Sequence, residues 1–143
     1  MTIPWKPAGR PTLIPVLPGG RKLIDFVTSV FGAKVAALAE GPGGSLAHAE
    51  LAFGESLLMT GEGTGPVGIT PGSASVYVPD VDAAYKKALA AGAKSVQEPT
   101  DQFYGDRTAR IVDPFGNQWA IATHKEDVSE EELKRRIAAM SKG

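Results

Sequence analysis

Cysteine is absent from this 143-residue chain. That excludes disulfides, thiolate metal sites and a cysteine nucleophile, and leaves the redox compartment unread. An excess of one charge is also missing. Fifteen basic residues stand against 16 acidic ones, a net charge of −1, so no bulk electrostatics draw the chain to nucleic acid or to an anionic membrane. No apolar run approaches the roughly 18 residues of a membrane span. The opening residues, MTIPWKPAGRPTLIP, lack the apolar core of a signal peptide, which makes a cytoplasmic location the expectation. There is no Gly-x-Gly-x-x-Gly fingerprint, Walker loop, serine nucleophile elbow or His-Glu-x-x-His pair. Gly61, Gly63 and Gly65 do follow a strand, but Pro66 and Pro71 argue against a helix opening there, so no phosphate role is assigned.

What is present is ordinary globular composition, 43% hydrophobic and 22% charged, sufficient for a single domain over residues 1–143. Pro4, Pro7, Pro11, Pro15 and Pro18 remove donors and fix φ, so the first 18 residues are an extended arm. Within it, residues 12–17 read as an edge strand. Leu23, Phe26, Val27 and Val30 at i, i+3, i+4 and i+7 predict a helix over 21–31, with Gly32 placed as its C′ residue. Strands follow over 34–40, 45–53 and 55–60. A glycine-rich stretch over 61–72 breaks the pattern. The order then returns: a strand over 73–79, a helix over 81–91, and strands over 94–97, 107–112 and 117–123, the last two flanking the turn Asp113-Pro114-Phe115-Gly116.

The chain reads as an internal duplication. Gly32-Ala33-Lys34 recurs as Gly92-Ala93-Lys94, and Phe53-Gly54 as Phe115-Gly116. Element order repeats with them: strand, helix, three strands, twice. The modules span 10–60 and 73–124. A third helix over 127–143 opens with the capping box Ser129-x-x-Glu132 and carries Leu133, Ile137 and Met140 as a narrow apolar stripe. That stripe is expected to pack on the domain or on a partner subunit.

Two βαβββ units in tandem, ending near an Asp-Pro-x-Gly turn, resemble the vicinal oxygen chelate superfamily. The run DQFYGDRTARIVDPFGNQWAIATHKEDVSEEELKRR over 101–136 and HAELAFGESLLM over 48–59 resemble PhnB-like glyoxalase/bleomycin-resistance proteins. The resemblance implies an α+β fold with a curved, eight-stranded mixed sheet around a cavity, helices on its outer face, and a homodimer. Trp5, the proline arm and the tail stripe supply apolar surface for the dimer.

Metalloenzymes of that superfamily take one ligand from the first and one from the last strand of each module. The resemblance places those positions at Ile14, Leu58, Ala74 and Ala120. All four are apolar, and their neighbours Leu13, Pro15, Leu57, Met59, Ser75 and Trp119 offer nothing better than a hydroxyl. No metal and no cofactor are therefore expected.

With Leu58 and Ala120 facing the cavity, period-2 alternation turns Thr60, Gln118, Ala122 and His124 inward too. It does the same for His48 and Glu50, and for Thr108 and Arg110. A carboxylate beside His48 suits acid/base work, with Glu50 as its orienter; a polar solvated strand face reads equally well. Arg110 offers a planar fork to a carboxylate or phosphate, unless it is tied to Glu50 or Asp113. Gln102, Phe103 and Tyr104 form a loop that can line a binding mouth. His124 is expected to bond the Glu126/Asp127 region. Two functions follow. The first is a metal-free protein that binds, and in effect sequesters, a small organic molecule. The second is a metal-independent isomerase or lyase acting on a carbonyl compound, with His48 as base and Arg110 stabilising an enolate or carboxylate.

Overall fold

The computed structural model describes residues 11–62 and 68–141; Trp5 and the start of the arm fall outside them. Among the described residues, three α-helices and seven strands make an α+β fold. The order is α1 (Gly20–Phe31), β1 (Lys34–Glu40), β2 (Leu46–Phe53), β3 (Ser56–Thr60), β4 (Ser73–Tyr77), α2 (Val81–Ala90), β5 (Lys94–Asp101), β6 (Asp106–Val112), β7 (Gln118–His124) and α3 (Glu130–Met140). The strands form two sheets, β1-β2-β3 and β4-β7-β6-β5, rather than the single eight-stranded sheet expected.

The missing strand is the first. Residues 12–17 shrink to one parallel bridge, Val16 opposite Met59, held by Leu17 N–H to Met59 O at 3.0 Å and Met59 N–H to Pro15 O at 2.9 Å. Pro15 and Pro18 have no N–H to extend the ladder. The bridge still sits where β4 sits in the second sheet, parallel to the last strand of its unit. Both units therefore share one strand order.

The duplication extends to individual hydrogen bonds. The Thr60 hydroxyl donates to Leu17 O at 2.7 Å and accepts from Gly20 N–H at 3.1 Å. The Thr123 hydroxyl donates to Val78 O at 2.9 Å and accepts from Val81 N–H at 2.8 Å. Each threonine, on the last strand of its unit, caps the first turn of that unit's helix and satisfies a donor the helix cannot. Thr60, predicted to face a cavity, is thus committed to α1. α1 itself buries Leu23, Phe26, Val27 and Val30 as the spacing predicts. It stops at Gly32, whose φ of 69° is the left-handed conformation a C′ glycine adopts without penalty.

α1 and α2 pack over both sheets and share one core with Leu51, Leu58, Ala109, Ile111, Trp119 and Ile121. β5 runs four residues beyond its predicted end, through Pro99, because it is an edge strand and its register shifts absorb the missing donor. α3 is capped as predicted, Glu132 N–H to Ser129 Oγ at 3.1 Å. No residue of α3 is buried, and Ile137 and Met140 stay about half exposed. Leu133 is half-buried, so the stripe packs at its first residue only and leaves Ile137 and Met140 open. Arg136 also anchors the helix, donating to Phe103 O at 2.8 Å and to Glu126 at 3.0 Å.

Candidate functional site

Residues opposite one another in a ladder project to the same face. In the second sheet, Trp119 and Ile121 point into the helices. Gln118, Ala120, Ala122 and His124 therefore point to the open face. Register lays out that face in rows: Ser73, Gln118 and Val112; then Ser75, Ala120 and Arg110; then Tyr77, Ala122 and Thr108; then His124 and Asp106. In the first sheet, Glu50 stands opposite Met59 on the open face, with His48 two residues away.

Two of the four positions assigned to metal ligands are corrected by this register. Leu58 stands opposite Leu51, and Ala74 opposite Trp119, and all four pack in the shared core. Both face the helices. The strands SLLMT and SASVY carry apolar or small residues at both parities, so alternation alone does not choose their face. The open-face positions are Ile14, in phase with Val16, together with Met59, Ser75 and Ala120. None is an imidazole or a carboxylate. The donor set does not fit the divalent metal of the superfamily's metalloenzymes, and among the described residues no group of three His, Asp or Glu side chains is arranged to hold a metal ion.

Arg110, Gln118, Ser73, Ser75 and Ala120 line a cavity of 220 Å³. Neither tie considered for Arg110 is formed. Asp113 accepts instead from Phe115 N–H and Asn117 N–H at 2.9 Å, Asn117 Nδ2 at 3.0 Å and Trp119 Nε1 at 2.9 Å. A larger groove of 500 Å³ adjoins this cavity at Ser75 and runs between the two sheets past Phe31, Phe53, Leu57 and Tyr77. Gln102 reaches the open face through Nε2 to Thr108 Oγ1 at 3.0 Å. Phe103 and Tyr104 stack edge to face at 5.2 Å in the β5–β6 turn, beside α3 and away from Arg110.

His48 Nε2 lies 3.1 Å from Glu50 Oε1, with Glu50 buried and His48 partly open. The predicted pair therefore exists. His48 borders a different cavity, of 240 Å³, with Val16, Ser45 and Glu62. His48 and Arg110 thus border separate cavities.

Sequence reasoning did not single out Tyr77 and Asp106. Tyr77 Oη donates to Asp106 Oδ2 at 2.6 Å, His124 Nδ1 lies 2.8 Å from Asp106 Oδ1, and His124 Nε2 lies 2.7 Å from Asp127. The signal was available, since Asp106 shares the parity of Thr108 and Arg110. The Tyr77 hydroxyl and then His124 hold the Asp106 carboxyl below its ordinary range. Asp106 and then Asp127 raise His124 above its ordinary 6.5. A raised histidine contributes stability that is complete below its unfolded value and lost as pH rises through the folded one. A lowered aspartate contributes above its unfolded value and loses it on acidification. Melting temperature is therefore expected to fall from about pH 6 to about pH 8, and His124→Gln to flatten that slope. Equal slopes in the two proteins would remove the role given to His124.

Comparison with known proteins agrees with this architecture. The whole chain aligns at 32% identity with the uncharacterized protein Mb0911c of Mycobacterium bovis, over all of that protein. TioX from Micromonospora sp. ML1 superposes with a TM-score of 0.66 at 26% identity, covering 80% of this chain and 99% of that one. A PhnB protein from Bacillus cereus shares the fold, with a TM-score of 0.63 at 15% identity over 79% of this chain and 99% of its own. Residues 19–121, well over half of the chain, match the family described as the Glyoxalase/Bleomycin resistance protein/Dioxygenase superfamily. With its two units sharing one strand order and the match spanning both, the chain belongs to that superfamily.

Proposed function

We propose that this protein captures a small organic molecule on the open face of its second sheet, without a resident metal and without turning it over. The observation that supports this most is the donor set. The open-face positions at which superfamily metalloenzymes place ligands hold Ile14, Met59, Ser75 and Ala120, while a cavity beside Ala120 keeps a cation and several polar groups available. Capture needs only shape and a few anchors.

The His48–Glu50 contact supports the second reading, an isomerase or lyase for carbonyl compounds. One experiment separates the two. Chelator-dialysed protein is incubated with a panel of small aromatic and carbonyl compounds, and binding and product are both followed. Saturable binding with no product is expected. Product whose rate falls about a hundredfold or more in His48→Ala would replace capture with catalysis.

The reading includes a homodimer. Among the described residues β4 is hydrogen-bonded only to β7, and an uncovered edge invites a second chain. The half-exposed Ile137 and Met140 add apolar surface on α3. Light scattering at micromolar concentration is expected to give twice the 14.9 kDa chain mass; the mass of one chain would contradict it.

A further inference from the structure

We propose that the cavity beside Ala120 takes an organic oxyanion, a carboxylate or phosphate carried on a flat apolar body, with Arg110 as its counter-ion. This rests on the reading of the open face as the ligand site, and names the chemical class that site selects.

The charge inventory points this way. Arg21 pairs with Glu40, Arg107 with Asp82 and Asp101, Arg135 with Glu132, and Arg136 with Glu126 and Glu132. Among the described residues, Arg110 is the one arginine with no carboxylate partner. The two acids that flank Arg110 along its own strand are already engaged. Asp113 is occupied by four donors. Asp106 lies four residues along β6, roughly 13 Å away at strand rise, and is held by Tyr77 and His124. Glu50 lies in the other sheet, against His48.

The surroundings fit an oxyanion as well. Arg110 and Ser75 flank Ala120 from the two neighbouring strands, about 10 Å apart across two strand spacings. The planar fork of an arginine can reach over a methyl floor to grip an oxyanion with two parallel bonds. Ser73, Ser75 and Gln118 line the same cavity, and their register places them on the open face, where they can supply further donors. Ala120 and Ala122, adjacent open-face positions on the central strand, leave a shallow trough. Val96 and Tyr77, each more than 60% exposed, offer apolar surface beside it. A cavity of 220 Å³ compares with the roughly 150 Å³ that accommodates benzene, so a single-ring acid is the right size.

Four probes of one shape test the class: benzoate, phenyl phosphate, benzamide and benzylamine. Each is titrated into isotope-labelled protein, and the Ala120 and Ala122 signals are followed by NMR. Benzoate or phenyl phosphate is expected to move them saturably, and the better of the two identifies the oxyanion. Benzamide and benzylamine are expected to bind at least about tenfold more weakly. Arg110→Gln, a change on an exposed side chain, is expected to erase that preference, and Arg110→Lys to keep part of it. Benzamide binding as tightly as benzoate, or unchanged benzoate affinity in Arg110→Gln, would overturn the oxyanion proposal while leaving the trough as a ligand site. Millimolar concentrations of all four leaving both alanines unmoved would defeat the proposal and the site reading together.

Discussion

Asp113→Ala is expected to cost about 3–5 kcal/mol of folding stability, a large share of the 5–15 kcal/mol typical of a domain. Asp113 is 4% exposed and accepts four hydrogen bonds. Two come from the backbone of its own turn and two from Asn117 Nδ2 and Trp119 Nε1. Alanine leaves the two buried side-chain donors unmade, each at its full desolvation cost. The damage spreads through Asn117, which is fully buried and donates to Pro18 O at 3.1 Å while accepting from Gly72 N–H at 3.2 Å. That side chain ties the entry of α1 to the entry of β4. Asp113→Asn keeps one acceptor but sets an amide against donors, and should fall between alanine and wild type. Urea unfolding measures all three proteins. A loss under about 1 kcal/mol in Asp113→Ala would show that the hub is dispensable.

Gly105→Ala is the second large effect, about 2–4 kcal/mol. Gly105 has a φ of 99°, where an L side chain is strained, and an added Cβ would collide with the backbone oxygen of Glu126 and press on Val128. That oxygen belongs to a backbone segment and cannot swing aside. Gly105 O also accepts from Lys125 N–H at 2.8 Å and Glu126 N–H at 3.1 Å. Together these bonds hold the segment between β7 and α3. Hydrogen exchange should therefore quicken first at Lys125 and Glu126. A change under about 0.5 kcal/mol with protection unaltered would mean that the turn accommodates a side chain.

Much of the fold was legible because its signals are local. Four residues at helical spacing fixed α1, Gly32 its end, Ser129 the start of α3, and the repeated Gly-Ala-Lys and Phe-Gly pairs the duplication. The failures arise where one sequence fits two arrangements. SLLMT can turn either face to the helices, so Leu58 was read to the wrong side. Pro15 was read as an edge strand, but whether a proline-flanked segment keeps one bridge or a full ladder depends on its neighbour β3. The threonine caps were invisible because Thr60 and Gly20 lie 40 residues apart. On the open face, parity placed Arg110, Gln118, His48 and Glu50 correctly. It could not show that Arg110 and His48 border separate cavities, which depends on how the two sheets pack.

Metal-free capture of a small molecule is the central claim, and one native mass spectrum addresses it. The protein is purified without chelator and equilibrated with benzoate, phenyl phosphate, benzamide and benzylamine. The expected spectrum shows a dimer carrying small-molecule adducts, with no divalent ion in whole-number ratio to the chains. One tightly held zinc, nickel or iron per chain, or adducts that form only on chains carrying such an ion, would contradict the account.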